Sequence, residues 1–332
     1  TLAALSAAGL VFVAALLLAT TPPDALTALD PKAVTRYNVI AGAIGIVAAL
    51  LVTATSAVMT QKHPQASGIA LAHTVPFLTA ASALRLSQSH WDTAGWGWTG
   101  LGLLIGSLAV LALPKRSRIS IAAPLVVGTV LAATGLLVRL GQLSQAGISA
   151  ILFALVIVLL QVAPWIALAH IPVRILDADT TEQIPAKGIT DQISTSFMFV
   201  VALRAGGAIA ALFLAVALMT APETRSVSLP LTLIVLGAVS LVLQTRSIRA
   251  RVEVLLGALT GLIVILVAAV LGAYADPRTM PWLTLSAIAT ALVLVITNVV
   301  GPRARPHLTR IADTISVLSL FVLLPLAVYL WS

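Results

Sequence analysis

Apolar residues fill blocks of about twenty along nearly the whole chain, and polar residues are confined to short gaps between them. A helix rises about 1.5 Å per residue, so about 20 residues cross the roughly 30 Å hydrocarbon core of a bilayer. Blocks of that length occupy 1–20, 37–60, 95–113, 119–138, 146–169, 197–219, 227–244, 252–273, 279–300 and 311–331. An eleventh block, 66–84, holds His73 and Pro76. Neighbouring helices can cover a proline and a polar side chain inside a span, so it counts as a span, with a re-entrant segment as the alternative. The pattern predicts an all-α fold: a polytopic integral membrane helical bundle of about eleven transmembrane helices, a single transmembrane domain over 1–332. Its one long gap, 171–196, leaves six spans before it and five after. The halves show no convincing repeat, so an inverted-repeat transporter gains no support.

Composition agrees with a membrane setting. Of 332 residues, 60% are hydrophobic and 9% charged, whereas a soluble domain carries roughly 25% charged residues. The net charge of +8 does not point to nucleic acid, because the basic residues lie in short loops, where topology signals and anionic headgroups act. Lys62, Lys115, Arg116, Arg118, Arg174, Lys187, Arg246, Arg249, Arg251, Arg303, Arg305 and Arg310 form one loop set of 12; Lys32, Arg36, Arg85, Arg139, Arg225 and Arg278 form the other, of 6. Positive residues stay cytoplasmic, so the N-terminus is expected inside and the C-terminus outside. If 66–84 does not cross, the N-terminus moves outside. Trp91, Trp96, Trp98, Trp282 and Trp331 fall at expected outer ends and Trp165 at an inner end, as headgroup anchors do. The chain has no cysteine, which excludes disulfides and thiol chemistry. It opens on Thr1, and an N-terminal cytoplasmic part is expected to be missing from this sequence.

Chemistry-bearing residues are sparse. Arg204 lies inside a span, about two turns from its expected cytoplasmic end; it reads as a snorkelling or structurally hydrogen-bonded arginine. Gly206 and Gly207 beside it, and the GxxxG pairs Gly102/Gly106 and Gly257/Gly261, allow helices to approach closely. Asp313 and Glu253 sit near expected span starts, where a carboxylate complements the helix dipole. Asn298 and Gln161 read as interhelical hydrogen-bonding residues. Asp177-Ala-Asp179 lacks the further ligands a metal needs, and Asp179 with Glu182 fits a helix-start capping pattern. Five histidines stand apart at 63, 73, 90, 170 and 307, so no helix face pairs them. No catalytic, cofactor or metal site is expected.

The gap 171–196 carries both charge signs, on Arg174, Asp177, Asp179, Glu182, Lys187 and Asp191. Lipid contact alone would favour positive charge. Pro172 and Pro185 limit helix formation, and Ile171, Val173, Ile175 and Ile184 offer apolar contacts. Pro172, Arg174, Asp177, Asp179 and Glu182 are therefore the candidate partner-docking residues; a flexible connector is the alternative. As a whole the chain reads as a non-enzymatic scaffold. A secondary transporter would show more ionisable residues within its spans, and a polyprenyl-sugar glycosyltransferase a larger acidic outer loop than the one holding Asp24 and Asp30.

The segment Ala163-Pro-Trp-Ile-Ala-Leu-Ala-His-Ile-Pro-Val-Arg174 is similar to the proline-containing helix end and aliphatic-proline element of one family. With the pattern of eleven spans, the chain resembles the membrane region of EccD, the polytopic core component of mycobacterial type VII (ESX) secretion systems. His170 stands where family members often have a basic residue. The resemblance implies a ubiquitin-like cytoplasmic domain before the first span, and a dimer of the chain enclosing a lipid-filled space. It also implies location in the bacterial inner membrane, and assembly with EccB, EccE and the EccC ATPase that drives export of Esx, PE and PPE proteins. It implies no enzymatic activity, cofactor or nucleic-acid partner.

Overall fold

Within lipid, a chain that leaves any backbone N–H or C=O without a partner loses several kcal/mol, so a spanning apolar block has to close its hydrogen bonds on itself as a helix. A computed structural model describes residues 2–20, 31–62, 66–87, 93–112, 121–141, 143–169, 186–223, 226–244, 251–276 and 305–331, with scattered positions in 278–288. Every regular element longer than a turn among the described residues is an α-helix. In chain order these are α1 (Leu2–Thr20), α2 (Pro31–Lys62), α3 (Ala66–Ala72), α4 (Val75–Leu86), α5 (Thr93–Leu111) and α6 (Ala122–Gly141), then α7 (Gln145–Ala169), α8 (Ala186–Met219), α9 (Ser228–Gln244), α10 (Arg251–Ala275) and α11 (Arg305–Trp331). Eight described stretches are long and apolar enough to cross a membrane, α3 and α4 together forming one of them, Gly68–Leu86. Most of the expected span 279–300 lies outside the described residues.

The helical surfaces are apolar. Leu50, Ile105, Leu140, Leu266 and Phe321 are all more than 60% exposed. Outward-facing leucines and phenylalanines on helix after helix suit contact with acyl chains, and far exceed the patches a water-soluble monomer leaves uncovered.

Four sequence expectations change. The block 66–84 is not one helix: it breaks at the turn His73–Thr74, where Pro76 sits in the first turn of α4 and cannot donate a backbone bond to the turn before it. Arg85 is not a loop residue but lies in the last turn of α4, buried. The second half of the gap 171–196 is helical, because α8 starts at Ala186, directly after Pro185, and no further proline interrupts it. Asp313 is not at a helix start: α11 begins at Arg305 and has no acidic residue in its first turn, so the dipole, which acts within one turn, does not account for it.

The chain separates into two compact units, Thr1–Gln142 and Leu143–Ser332. In the first, α4 packs on both α2 and α5, α5 packs on α6, and α1 reaches α3 and α4. In the second, α7 packs on α8 and α11, and α9 packs on α10 and α11.

Candidate functional site

The first unit is joined by glycine. An added Cβ at Gly97 would lie 3.1 Å from the Cα of Gly135. One at Gly100 would lie 2.8 Å from the Cα of Ala132 and the carbonyl oxygen of Gly128. So α5 and α6 meet backbone against backbone. On its other face α5 meets α4: a Cβ at Gly102 would stand 2.5 Å from the carbonyl oxygen of Thr79, and one at Gly106 would stand 2.7 Å from the Cα of Pro76. The Thr79 hydroxyl donates to the Gly102 carbonyl at 2.7 Å. Without a hydrophobic drive between helices in lipid, such close approach supplies the contact energy. The sequence pattern picked out Gly102 and Gly106 but missed Gly97, Gly100, Gly128 and Gly135. Their visible signal was the small-residue spacing 128, 132, 135 on α6 facing 97, 100 on α5.

Next to this seam lies the break in the eleventh block. At the turn, the Ile69 carbonyl accepts from the His73 backbone N–H at 3.2 Å and lies 2.5 Å from His73 Nδ1. The Leu71 carbonyl accepts from the Thr74 N–H at 3.0 Å and from its hydroxyl at 2.8 Å. From α2, the Ser56 hydroxyl donates to the Gly68 carbonyl at 2.7 Å. At the far end of α4, Arg85 is 7% exposed. Its Nε–H donates to the Leu18 carbonyl at 2.5 Å and its Nη1–H to Asn38 Oδ1 at 3.3 Å. Leu18 is in the last turn of α1, whose carbonyls have no partner within the helix and carry its negative pole. Arg85 thus caps α1 and ties it to α2 and α4. The signal was available: neither Gly nor Pro stands between Pro76 and Arg85, so the helix that Pro76 opens runs through Arg85.

In the second unit, Arg204 of α8 is buried, 6% exposed. Gly206 is also buried. A Cβ at Gly207 would lie 2.5 Å from Leu160 Cδ2 of α7. On α10, Gly261 faces Val242 and the Ala238 carbonyl of α9, whereas Gly257 is half-buried. Gln161 of α7 donates from its amide nitrogen to the hydroxyl of Ser240 on α9, the interhelical bond expected of it. Gln145 donates to the Ala217 carbonyl of α8 at 2.9 Å. The docking candidates Pro172, Arg174, Asp177, Asp179 and Glu182 lie outside the described residues, as does Asn298. Among the described residues, no three His, Asp or Glu side chains come together as metal ligands would.

Among the described residues, these contacts hold helices together. The fold is similar to solved structures. One is protomer 1 of the ESX-3 core complex, with a TM-score of 0.71 and 18% identity, covering 99% of this chain and 74% of that one. Another is the MycP5-free ESX-5 inner membrane complex in its State II, with a TM-score of 0.56 and 16% identity, covering 86% of this chain and 71% of that one. No curated protein matches the chain in sequence. The family profile of the EccD-like transmembrane domain, however, matches residues 1–332, and the chain belongs to that family.

Proposed function

We propose that this chain is a non-enzymatic scaffold of a type VII secretion complex in the bacterial inner membrane. It pairs with a second copy of itself, with a lipid-filled space between the two. It assembles with EccB, EccE and the EccC ATPase for export of Esx, PE and PPE proteins. The observation that carries this reading is the EccD-like match over 1–332. A supporting one is where the interior polar groups go: Arg85, Gln145, Gln161, Ser56 and Thr79 all bond to a neighbouring helix. Affinity purification of the tagged chain from native membranes tests it. Recovery of a second, differently tagged copy together with the three other subunits is the expected result. Recovery of the chain alone, with export unchanged in cells lacking it, overturns the proposal.

The same reading puts the N-terminus inside and the C-terminus outside across eleven spans. In this cysteine-free chain, single cysteines at Ser117, Ser247 and Ala304 should resist an impermeant thiol reagent in intact cells, and those at Thr27, Ser89 and Thr279 should react. Labelling of the first group reverses the orientation. It also makes 171–185, with Pro172, Arg174, Asp177, Asp179 and Glu182, a docking segment for a cytoplasmic face of the complex. Photo-crosslinkers at 175, 179 and 184 should then capture EccB, EccC or EccE, and the connector reading stands if none is captured from an intact complex.

The transporter alternative draws on the broken helix α3–α4, since transporters bind substrate at such breaks. Here the Ile69 and Leu71 carbonyls are engaged by the turn itself, which favours the scaffold.

A further inference from the structure

Pro164 lies within α7, which continues past it to Ala169. A proline has no backbone N–H, so the carbonyl four residues back, that of Leu160, must find its donor outside its own helix. In lipid no water can stand in for that donor, and another part of the protein has to supply it. Leu160 is buried and is engaged in a polar interaction. It has no polar side-chain atom, so its backbone makes that interaction.

The packing of α8 on α7 shows where the donor stands. Gln145, at the start of α7, bonds to the Ala217 carbonyl near the end of α8. Further along α7, Leu160 meets Gly207, earlier on α8. The two helices therefore run antiparallel. Arg204 lies three residues before Gly207, one turn away on the same face, level with Ala163 and Pro164. The Leu160 carbonyl points along α7 toward that level. Arg204 is buried, as is Ala163, and it too is engaged in a polar interaction. Among the described residues of the second unit, the other buried polar side chains are Ser149, Ser240 and Ser319. Ser149 is about three turns back on α7 itself. Ser319 donates to Ile315 within α11, and Ser240 takes the Gln161 amide. An arginine is costly inside a span, and a carbonyl that needs an outside donor offsets that cost. We propose that Arg204 is a positioning residue: its guanidinium donates to the Leu160 carbonyl in place of the N–H that Pro164 lacks. The last turn of α7, which leads into 171–185, is thereby held by α8 and not by α7 alone.

The test is amide exchange of the full chain in detergent micelles, read over residues 165–169. Arg204→Leu should quicken exchange there at least about tenfold, the size of a hydrogen bond to a charged group. Pro164→Ala restores the missing N–H, so adding Arg204→Leu to Pro164→Ala should quicken exchange by less than about threefold. An arginine that only fills space, or that serves some other group, would not be relieved by a change at Pro164. Equal quickening in the two backgrounds overturns the proposal, as does no quickening in either. If Arg204→Leu alone does not fold, the yield and melting temperature of the double variant decide. Recovery of folded protein in the Pro164→Ala background supports the proposal, and failure of the double variant while Pro164→Ala alone folds overturns it.

Discussion

The two units solve the same problem with different parts. Lipid tails are as apolar as leucine, so helices in a membrane associate through packing and hydrogen bonds and gain little from burial of apolar surface. Where α5 meets α4 and α6 in the first unit the contact is mainly backbone on backbone, Gly97 against Gly135, Gly100 against Ala132, and Gly102 against Thr79 and Ala80, while Gly42 on α2 takes the Leu86 side chain. In the second unit a glycine opens a hole and a large side chain fills it: Leu160 at Gly207, Phe153 and Ile157 at Gly237, and Val242 at Gly261. Phe153, Ile157, Leu214, Leu218 and Leu233 there are fully buried. The polar ties do not follow this division: in the first unit Arg85, Thr79 and Ser56 reach mainly backbone carbonyls of other helices, and in the second Gln145 reaches the Ala217 carbonyl of α8 while Gln161 meets the Ser240 hydroxyl. A backbone seam can open only if a whole helix shifts, but a side chain can change rotamer. The first unit should therefore tolerate added volume worse than the second.

The sharpest way to break this comparison is Gly135→Ala. The new methyl would meet backbone atoms of Gly97 and Thr93, and nothing there can rotate away. A loss of about 3 kcal/mol is expected, the upper end of overpacking costs, read as denaturant-induced unfolding in detergent micelles. A loss below about 1 kcal/mol would mean that the seam is soft. Next comes Arg85→Leu, which leaves the Leu18 carbonyl and Asn38 without their charged donor. About 2 kcal/mol is expected from hydrogen bonds to a charged group. Amide exchange should quicken in α1 and stay unchanged in α7–α9. Arg85→Lys should rescue only part, since an ammonium lacks the planar fork that reaches two acceptors. Equal exchange in both units would show that Arg85 is not the local tie.

A double-mutant cycle of Gln161→Leu and Ser240→Ala should return a coupling of about 0.6 kcal/mol, typical of interhelical polar pairs in membranes. A coupling near zero would leave packing alone to hold α7 on α9. The smallest effect belongs to Gly261→Ala, the counterpart of the first variant. Its methyl would meet the end of the Val242 side chain, with the Ala238 carbonyl oxygen at 3.0 Å. The Val242 methyl is a side-chain atom that can give way, so a change of about 0.5 kcal/mol is expected, below the roughly 1–3 kcal/mol of ordinary overpacking. If Gly261→Ala costs as much as Gly135→Ala, the contrast between the units fails.

The helices themselves were legible in the sequence because each is a local property. A block of about twenty apolar residues has one way to satisfy its backbone in lipid, and the boundaries of α5, α6, α7, α9 and α10 fall within three residues of the apolar blocks. Extensions beyond the membrane were not legible, because apolarity marks where lipid ends and not where helical hydrogen bonds end. Thus α8 begins at Ala186 and α11 at Arg305. The expectation that Gln161 bonds to another helix could be formed from residue type alone, since a buried amide needs a partner. That the partner is Ser240 depends on which helices touch. The glycines show the same division. GxxxG spacing marks a face able to approach another, but Gly97 and Gly135 gain their meaning only from each other, across an antiparallel register that no single segment encodes. Arg85 is the clearest case. In sequence it is a basic residue near a span end, which counts as a topology signal. In the fold it lies beside the end of α1, 67 residues earlier, and its charge serves carbonyls that α1 cannot bond for itself. Local composition determines what each segment becomes, because backbone satisfaction is a short-range demand. Which segment answers another's unmet groups is decided by tertiary contact.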